Sequence, residues 1–291
     1  ETALFKLTVT IGSASITLTP TETSQVLSTT ASSNAFALSN IGATHTGDGS
    51  LVYTVTTVGD PVCTIDGTDV TFSHVGTCVI TVSMDASSTG NFDAATSQTF
   101  TLTVNQGQQT LTLSKASDSK KLVSGGTNTY DVSALVSSDI LGATATFTYT
   151  NLTANTAGCS VAAGVISFTQ VGSCTVTVTA VANDDFKADS KTFTLTVTSG
   201  VAAISLNPTK TSQVLSTTSA SNLFAFSNLG ITHTGDGTVA YSVDTTTEAG
   251  CSVNGDHTGI IFSHIGTCLI TLSMASTDNY DAATDVTQLL D

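Results

Sequence analysis

Tryptophan and arginine are absent from the sequence, and charged residues are scarce at 10% of the chain. The basic residues are seven lysines against 22 acidic residues, so the formal net charge is −15. Proteins that grip phosphates do so with many cationic side chains. The composition therefore excludes nucleic acid and anionic lipid as partners. It is typical of a self-repelling surface protein.

Long hydrophobic runs are also missing. No stretch approaches the roughly 18 to 20 consecutive apolar residues that a membrane-spanning helix needs. The first residues, Glu1 to Lys6, lack the basic segment and apolar core of a secretion signal. We therefore expect no membrane-spanning segment within these residues. A secretion signal is either already removed or belongs to a longer precursor.

Threonine, serine, valine and alanine dominate what is present. β-Branched side chains favour half-buried strands over helices, so the expected fold is all-β. A length of 291 residues suits two or three domains.

A repeat of about 94 residues organises the chain. The segment TSQVLSTT at 23–30 recurs identically at 211–218, and HTGDG at 45–49 recurs at 233–237, both 188 residues apart. A diverged copy lies between them, because VGSC at 171–174 matches VGTC at 75–78 and IGTC at 265–268. The order of the copies is therefore A-B-A′.

Strand periodicity runs through each repeat. The segment FTLTV alternates apolar and polar residues at 100–104 and again at 193–197. In the first repeat we predict strands near 14–19, 34–39, 50–58, 62–66, 69–75, 77–84 and 97–105. The segments 34–40 and 222–228 fit a short helical turn as well as a strand.

Short strands at this spacing predict three tandem immunoglobulin-like Greek-key β-sandwich domains in an elongated array. The expected boundaries are 12–105 for domain 1, 106–199 for domain 2 and 200–291 for domain 3. Residues 1–11 are expected to be an orphan closing strand.

The sequence resembles the bacterial immunoglobulin-like (Big-type) tandem repeats of extracellular surface proteins. The resemblance lies in GTCVITV at 76–82, GNFDAAT at 90–96, the FTLTV strand and DNYDAA at 278–283. It implies a sandwich fold that serves as a stalk, an adhesin arm, part of a surface array or a spacer in a secreted enzyme. The middle repeat departs from the pattern at 184–189, DDFKAD, which puts a ligand site shared by all repeats in doubt. Phe92 and Tyr280 are expected to be core residues at an aromatic corner.

Six cysteines fall two to a repeat, namely Cys63 with Cys78, Cys159 with Cys174, and Cys251 with Cys268. The even number and the repeated spacing predict one local disulfide per repeat, each stabilising by roughly 3 kcal/mol. Zinc is the competing interpretation, but no two-residue Cys spacing or shared His ligand recurs in all repeats. Disulfides indicate an oxidising, extracellular compartment.

No motif in the sequence indicates catalysis. Four of the five histidines are two repeated pairs, His45 with His233 and His74 with His264, and the middle repeat carries Gln170 at the second position. Repetition favours a structural role in turns and strands. Neither a nucleophile elbow, a phosphate loop nor a metalloprotease motif occurs, so we expect no enzyme and no catalytic residue.

Calcium is the one cofactor that the sequence leaves open. Acidic corner loops include Asp85, Asp93, Asp278 and Asp281, whose oxygens suit a hard cation. The alternative is turn chemistry, since Asp and Asn are preferred wherever the chain reverses.

The two ends of the sequence complement each other. Residues 5–10 align without gaps with the closing strand 193–198, which makes Phe5, Leu7, Val9 and Ile11 candidates for a donor strand. At the other end Gln288 and Leu290 stand where Phe100 and Leu102 should be, so domain 3 is expected to lack most of its closing strand. Insertion of the N-terminal strand into the third domain of a neighbour would give a head-to-tail filament. Alternatively, the chain is a window cut from a longer array.

The sequence therefore predicts a structural subunit of an extracellular or cell-surface filament, whose partners are identical subunits and other cell-surface components. The alternative is a stalk segment of a repetitive adhesin with no polymerisation of its own. A carbohydrate-binding module is a third hypothesis, disfavoured because exposed aromatics are its usual platform and the chain has no Trp and five Tyr.

Overall fold

The structure, a computed structural model, describes residues 3–57, 63–85, 89–152, 155–244 and 250–291. Within these ranges the regular structure consists of short β-strands and single-turn 3-10 helices, which confirms the all-β prediction. Among the described residues, no helix has the length and apolar character of a membrane span. The predicted strands at 50–58 and 62–66 extend onto residues outside the described ranges.

Repeat 1, residues 12–105, contains two facing sheets. Its strands are β1 (Ser15–Leu18), β2 (Ser24–Val26), β3 (Ala35–Ala37), β4 (Ala43–Thr46), β5 (Leu51–Thr57), β6 (Thr64–Asp66), β7 (Asp69–Thr71), β8 (Gly76–Met84) and β9 (Gln98–Asn105). Its 3-10 helices are Ala31–Ser33 and Leu38–Ile41. One sheet has the order β2-β9-β8-β5 and the other β3-β7-β6, while β1 pairs with β4. Every predicted segment contains a strand, and β2 and β4 were not predicted.

The core of repeat 1 lies between these sheets. Alternate residues of β8 and β9 are buried, as the two-residue period of a strand requires. Phe36 on β3 stacks on Phe100 on β9 with ring centroids 5.5 Å apart, so the rings join the two layers. The segment 34–40 contains both of the predicted alternatives, a strand and a short helical turn, because β3 is followed directly by the helix Leu38–Ile41.

Repeat 2, residues 106–199, repeats the pattern. Its strands are β10 (Gly107–Gln108), β11 (Leu111–Leu113), β12 (Ser117–Lys121), β13 (Thr129–Asp131), β14 (Val136–Ser138), β15 (Phe147–Asn151), β16 (Ser160–Ala162), β17 (Val165–Ser167), β18 (Gly172–Ala180), β19 (Phe186–Lys187) and β20 (Asp189–Thr198), with a 3-10 helix at Ser133–Leu135. The sheets have the orders β12-β20-β18-β15 and β13-β17-β16.

Repeat 3, residues 200–291, is built in the same way. Its strands are β21 (Gly200–Val201), β22 (Ala203–Ser205), β23 (Leu223–Ala225), β24 (Thr232–Thr234), β25 (Val239–Val243), β26 (Ser252–Val253), β27 (Gly259–Ile261), β28 (Cys268–Met274), β29 (Tyr280–Asp281) and β30 (Val286–Leu290), with 3-10 helices at Ser219–Ser221 and Phe226–Leu229. Two of its sheets have the orders β25-β28-β30 and β23-β27-β26.

The closing strand of repeat 3 corrects one prediction. We expected most of this strand to be lacking, but β30 pairs with β28 and sets Cys268 opposite Leu290. Repeat 1 has the same register, with Cys78 opposite Leu102. The pairing works despite the substituted residues because an antiparallel ladder is made by backbone groups, which any non-proline residue supplies.

By contact density the chain forms two compact units. One comprises residues 1–112, 136–148 and 179–191, and the other comprises residues 113–135, 149–178 and 192–291. Segments of repeat 2 belong to each unit. The boundaries at 105/106 and 199/200 come from sequence repetition and stay predictions.

Each repeat has its predicted disulfide. The bonds join Cys63 to Cys78, Cys159 to Cys174 and Cys251 to Cys268, with Cα–Cα distances of 5.9, 5.9 and 6.1 Å. In every repeat the second cysteine lies on the strand that pairs with the closing strand. Three disulfides fit an extracellular location.

We predict that replacing Cys63 and Cys78 together by alanine lowers the free energy of unfolding of repeat 1 by about 3 kcal/mol, because the unfolded chain regains the entropy of an open loop. Urea unfolding followed by circular dichroism measures the loss. Reduction of the unaltered protein is the control and should weaken all three repeats. An unchanged unfolding midpoint in the variant would contradict a stabilising role for the bond.

Candidate interaction sites: the junctions between repeats

In each repeat a segment near the start runs beside the closing strand. In repeat 1, β2 pairs in parallel with β9, and in repeat 2, β12 pairs in parallel with β20 over five residues of each strand. Repeat 3 continues the pattern at its end, where Asp291 N donates to Thr211 O and Gln213 N donates to Asp291 O, both at 3.0 Å. The entering and leaving segments of a repeat are thus hydrogen-bonded directly to each other.

A glycine that follows the closing strand of one repeat begins the next repeat and is hydrogen-bonded to a corner loop of that same next repeat. Gly107 N donates to the backbone oxygen of Asp185 at 2.8 Å, and β10 pairs in parallel with β19, so that Gly107 lies opposite Phe186. We call this arrangement the first junction. All its residues belong to one compact unit.

An aromatic ring from repeat 2 completes the core of repeat 1 at this junction. Phe186 is 1% exposed and belongs to the same buried cluster as Leu27, Phe36, Phe72 and Val104. Burying a phenylalanine side chain stabilises by about 1.5–3 kcal/mol. The end of repeat 1 is therefore closed by its neighbour.

The corner also makes polar contacts with the end of repeat 1. Val75 N donates to Asp185 Oδ1 at 2.9 Å, and His74 Nδ1 lies 2.9 Å from Asp185 Oδ2. This is the structural role that repetition of the histidines indicated. His264 instead lies 2.8 Å from the hydroxyl of Ser263 through its Nδ1.

The second junction copies the first within the other compact unit. Gly200 N donates to Asn279 O at 2.9 Å, Val171 N donates to Asn279 Oδ1 at 3.0 Å, and the ring of Tyr280 is buried. Segment 184–189 of repeat 2, whose sequence departs from the pattern, thus makes the same kind of contact at the first junction as Asn279 makes at the second. Asp185 and Asn279 are interchangeable here because either side chain offers an oxygen acceptor.

Only glycine fits at the junction positions. A Cβ added to Gly107 would lie 2.0 Å from Leu27 O and 3.0 Å from the Phe186 ring, and one added to Gly200 would lie 2.3 Å from Leu122 O and 2.6 Å from the Tyr280 ring. The glycine therefore lies between the backbone of the preceding repeat, at Leu27 or Leu122, and the aromatic ring of its own repeat, with no room for a side chain.

The HTGDG motif supports the corner loop in repeat 3. Asp236 accepts hydrogen bonds from the hydroxyl of Thr277 and, at 3.1 Å, from Asn279 Nδ2. The hydrogen bond from Thr277 has the largest effect on the Asp236 carboxyl, and together with that from Asn279 it lowers the pKa of this carboxyl below its ordinary value. In repeat 1, Asp48 accepts from the hydroxyl of Thr89 at 2.7 Å. The sequence alone indicates no role for this motif, although its identical recurrence at 45–49 and 233–237 marks it as a shared structural element.

The corner of repeat 1 has the same local geometry as the two junction corners. Gly12 N donates to Asn91 O at 2.8 Å, and a Cβ at Gly12 would lie 2.9 Å from the Phe92 ring. Phe92 is half-buried, whereas Phe186 and Tyr280 are buried. The predicted donor-strand residues precede this corner in a segment, 3–11, that forms no strand, and they are exposed: Phe5 by 87%, Leu7 by 74%, Val9 by 86% and Ile11 by 61%.

At the other end, repeat 3 carries an apolar cleft of about 280 Å³. Its lining includes Leu215, Phe224, Phe262, Ile265 and Leu290. By repeat alignment the first three correspond to Leu27, Phe36 and Phe72, which pack with Phe186 at the first junction. We call these five cleft residues the terminal surface.

The candidate calcium ligands do not assemble into an ion site. Among the described residues no group of three His, Cys, Asp or Glu side chains could hold a metal ion. Asp281 accepts a hydrogen bond from the Ser199 hydroxyl at 2.8 Å, and Asp93 N donates to Gly12 O at 3.0 Å. Both residues thus make local contacts at corners. Asp278 is exposed in the same loop as Asp281, and Asp85 is exposed directly after β8.

No protein-family model matches the chain, and no curated protein matches it. Solved structures with a similar arrangement include mouse cadherin-23 EC22-24, at 10% identity over 96% of this chain and 98% of that one, TM-score 0.31. Drosophila N-cadherin EC1-4 is 8% identical over 85% and 68%, TM-score 0.29, and Sidekick-1 immunoglobulin domains 1-5 are 12% identical over 82% and 51%, TM-score 0.33. Nothing about function follows from likenesses of this size.

We predict that Gly200→Ala lowers the free energy of unfolding by about 1–3 kcal/mol, because the added methyl group overlaps Leu122 O and the Tyr280 ring. Gly255→Ala is the matched control, since a Cβ there meets nothing within 4 Å, and it should change stability by less than about 0.5 kcal/mol. Differential scanning calorimetry measures both. Equal stability of the two variants would show that the close approach at the junction is unimportant.

Proposed function

We propose that the chain is a load-bearing structural segment of an extracellular, cell-surface stalk or fibre. The observation that carries this proposal is the parallel pairing of β2 with β9 and of β12 with β20, together with the hydrogen bonds that Thr211 and Gln213 make to Asp291 in repeat 3. A force applied along the chain pulls these strands past each other, so it loads their hydrogen bonds together rather than one by one. The direction of the pairing therefore suits a protein that is pulled from its ends.

The junctions support the same role. At each junction the glycine, the aromatic ring and a side-chain acceptor of one repeat contact the end of the preceding repeat, so the two repeats are joined by packing and hydrogen bonds as well as by the chain. Such a segment needs neither a catalytic site nor a cofactor. The Big-type resemblance of the sequence and the three disulfides agree with a surface stalk whose partners are other cell-surface components.

Single-molecule force spectroscopy, with the chain tethered at its two ends, tests the load-bearing role. Gln25→Pro removes a backbone N–H from β2, which pairs with β9, and we expect one of the three unfolding events to move to lower force. The control is Thr8→Pro in the segment 3–11, which forms no strand. Unfolding of the unaltered repeats at forces as low as that of the Gln25→Pro repeat would overturn the proposal.

Donor-strand complementation is the second candidate function. The exposed side chains of Phe5, Leu7, Val9 and Ile11 favour it, because an apolar row of this kind can add to a sheet edge. In repeat 3, however, Gln288 and Leu290 of β30 already hold the register positions that Phe5 and Leu7 would take. Exchange would have to displace β30, so the geometry favours a stalk over a filament built by strand exchange.

Deleting residues 1–8 tests strand exchange. If insertion of Phe5 and Leu7 builds a fibre, the full chain forms filaments in negative-stain micrographs and the deletion leaves monomers. The variant Phe5→Asp should act like the deletion, since a charge cannot enter an apolar groove without a partner. Filaments that persist in both variants would exclude the exchange.

A further inference from the structure

We propose that the terminal surface of repeat 3 is a docking site for repeat 1 of a second copy of this chain. The docked part would be the corner formed by Gly12, Asn91 and Phe92, and the contact would copy the two junctions within the chain. This inference goes beyond load transmission and does not depend on it, since a monomeric segment could carry load equally well.

The terminal surface carries apolar side chains similar to those of the surfaces that a following repeat covers at the two junctions. Leu27 and Leu122 are 2% and 4% exposed where a following repeat covers them, whereas Leu215 in the same position is 38% exposed. Val75 and Val171 are half-buried at the junctions, while their counterpart Ile265 is 87% exposed. Leu215 and Ile265 are thus exposed at positions that an adjoining repeat covers elsewhere in the chain.

The cleft in this surface is large enough for an aromatic ring. Its volume is about 280 Å³, and an apolar cavity of about 150 Å³ already accommodates benzene. At the first junction the corresponding space next to Leu27 holds the ring of Phe186. An aromatic corner of the same kind is therefore the occupant that the fold itself provides for this space.

Repeat 1 already has a corner of this geometry. The hydrogen bond from Gly12 N to Asn91 O measures 2.8 Å, against 2.8 Å and 2.9 Å for the equivalent bonds from Gly107 and Gly200. The Phe92 ring lies against Gly12 as Tyr280 lies against Gly200. Docking would therefore require no rearrangement of the corner, which reduces the ordering cost of association.

The polar contacts also have counterparts. Asn91 occupies the position from which Asp185 and Asn279 accept the backbone N–H of Val75 and Val171. In the docked pair the N–H of Ile265 would donate to the side chain of Asn91. Leu290 holds the register position of Leu102 in repeat 1. Val9 would then take the position that Val104 holds there, beyond the end of β30, and would extend β30 without displacing it.

The test is the association state of the full chain by sedimentation equilibrium, at concentrations up to about 1 mM, the affinity range of weak specific contacts. We expect concentration-dependent head-to-tail oligomers. Ile265→Asp should weaken association by on the order of tenfold or more, because it places an unpaired charge in the docked interface. Val52→Asp, at an exposed apolar position on β5 outside the terminal surface, is the control and should leave association unchanged.

A mixing experiment identifies the partner surface. Phe92→Ala removes the aromatic corner, and if it unfolds repeat 1, Asn91→Lys replaces it because that side chain is exposed. The Ile265→Asp variant and the corner variant should each be monomeric alone. A mixture of the two should form heterodimers but no larger oligomers. Only one productive pair of surfaces remains in such a mixture.

Three results would overturn the proposal. One is a monodisperse monomer at every concentration tested. Another is association that Ile265→Asp leaves unchanged. The third is association that is lost when residues 1–8 are deleted but kept in the corner variants, which would make the N-terminal strand the occupant instead. None of these results alters the unfolding forces, so failure of docking is distinguishable from failure of the load-bearing role.

Discussion

The close packing of a glycine and an aromatic corner against the end of the preceding repeat is the constraint on which the tandem architecture depends. A sandwich of fewer than a hundred residues has a small core, and its open end would leave Leu27 and Phe36 beside solvent. The neighbouring ring closes that end. The absence of a side chain at Gly107 and at Gly200 is what lets the ring approach closely enough to do so.

This constraint makes the repeats energetically dependent on one another. In arrays whose units contact only their neighbours, stability is the sum of unit terms and interface terms. Here the interface term includes core burial, because Phe186 is counted in the core of repeat 1. The proposed load-bearing role uses the same geometry, since the strand that leaves a repeat leads directly into the glycine of the junction.

Much of the fold could be predicted from the sequence because its signals are local. Alternation of apolar residues located β8 and β9, and the spacing of the cysteines gave the disulfides. The short strand β2 escaped prediction because SQV has no alternating pattern of its own and is held by pairing with β9. The closing strand β30 was mispredicted because Gln288 replaces a core phenylalanine, which removed the side-chain signal but not the backbone pairing.

The junctions could be predicted only in part. The glycine and the aromatic corner were both visible in the sequence, and Phe92 and Tyr280 were expected in the core. Tyr280 is buried as expected, whereas Phe92 is only half-buried. Which core a corner ring completes depends on contacts between residues far apart in the sequence, as between Leu27 and Phe186, and a single sequence contains no record of such contacts. The HTGDG motif was missed for the same reason, because Asp236 acts on Thr277 across the corner and not on its own turn.

The placement of Phe186 also gives the array a direction during synthesis. A ribosome makes repeat 1 first, and domains of multidomain chains generally begin folding in that order. The ring that closes the core of repeat 1 emerges only after most of repeat 2 has been translated. The apolar end of nascent repeat 1 therefore stays exposed until repeat 2 is nearly complete. The growing chain is most prone to aggregation during this interval.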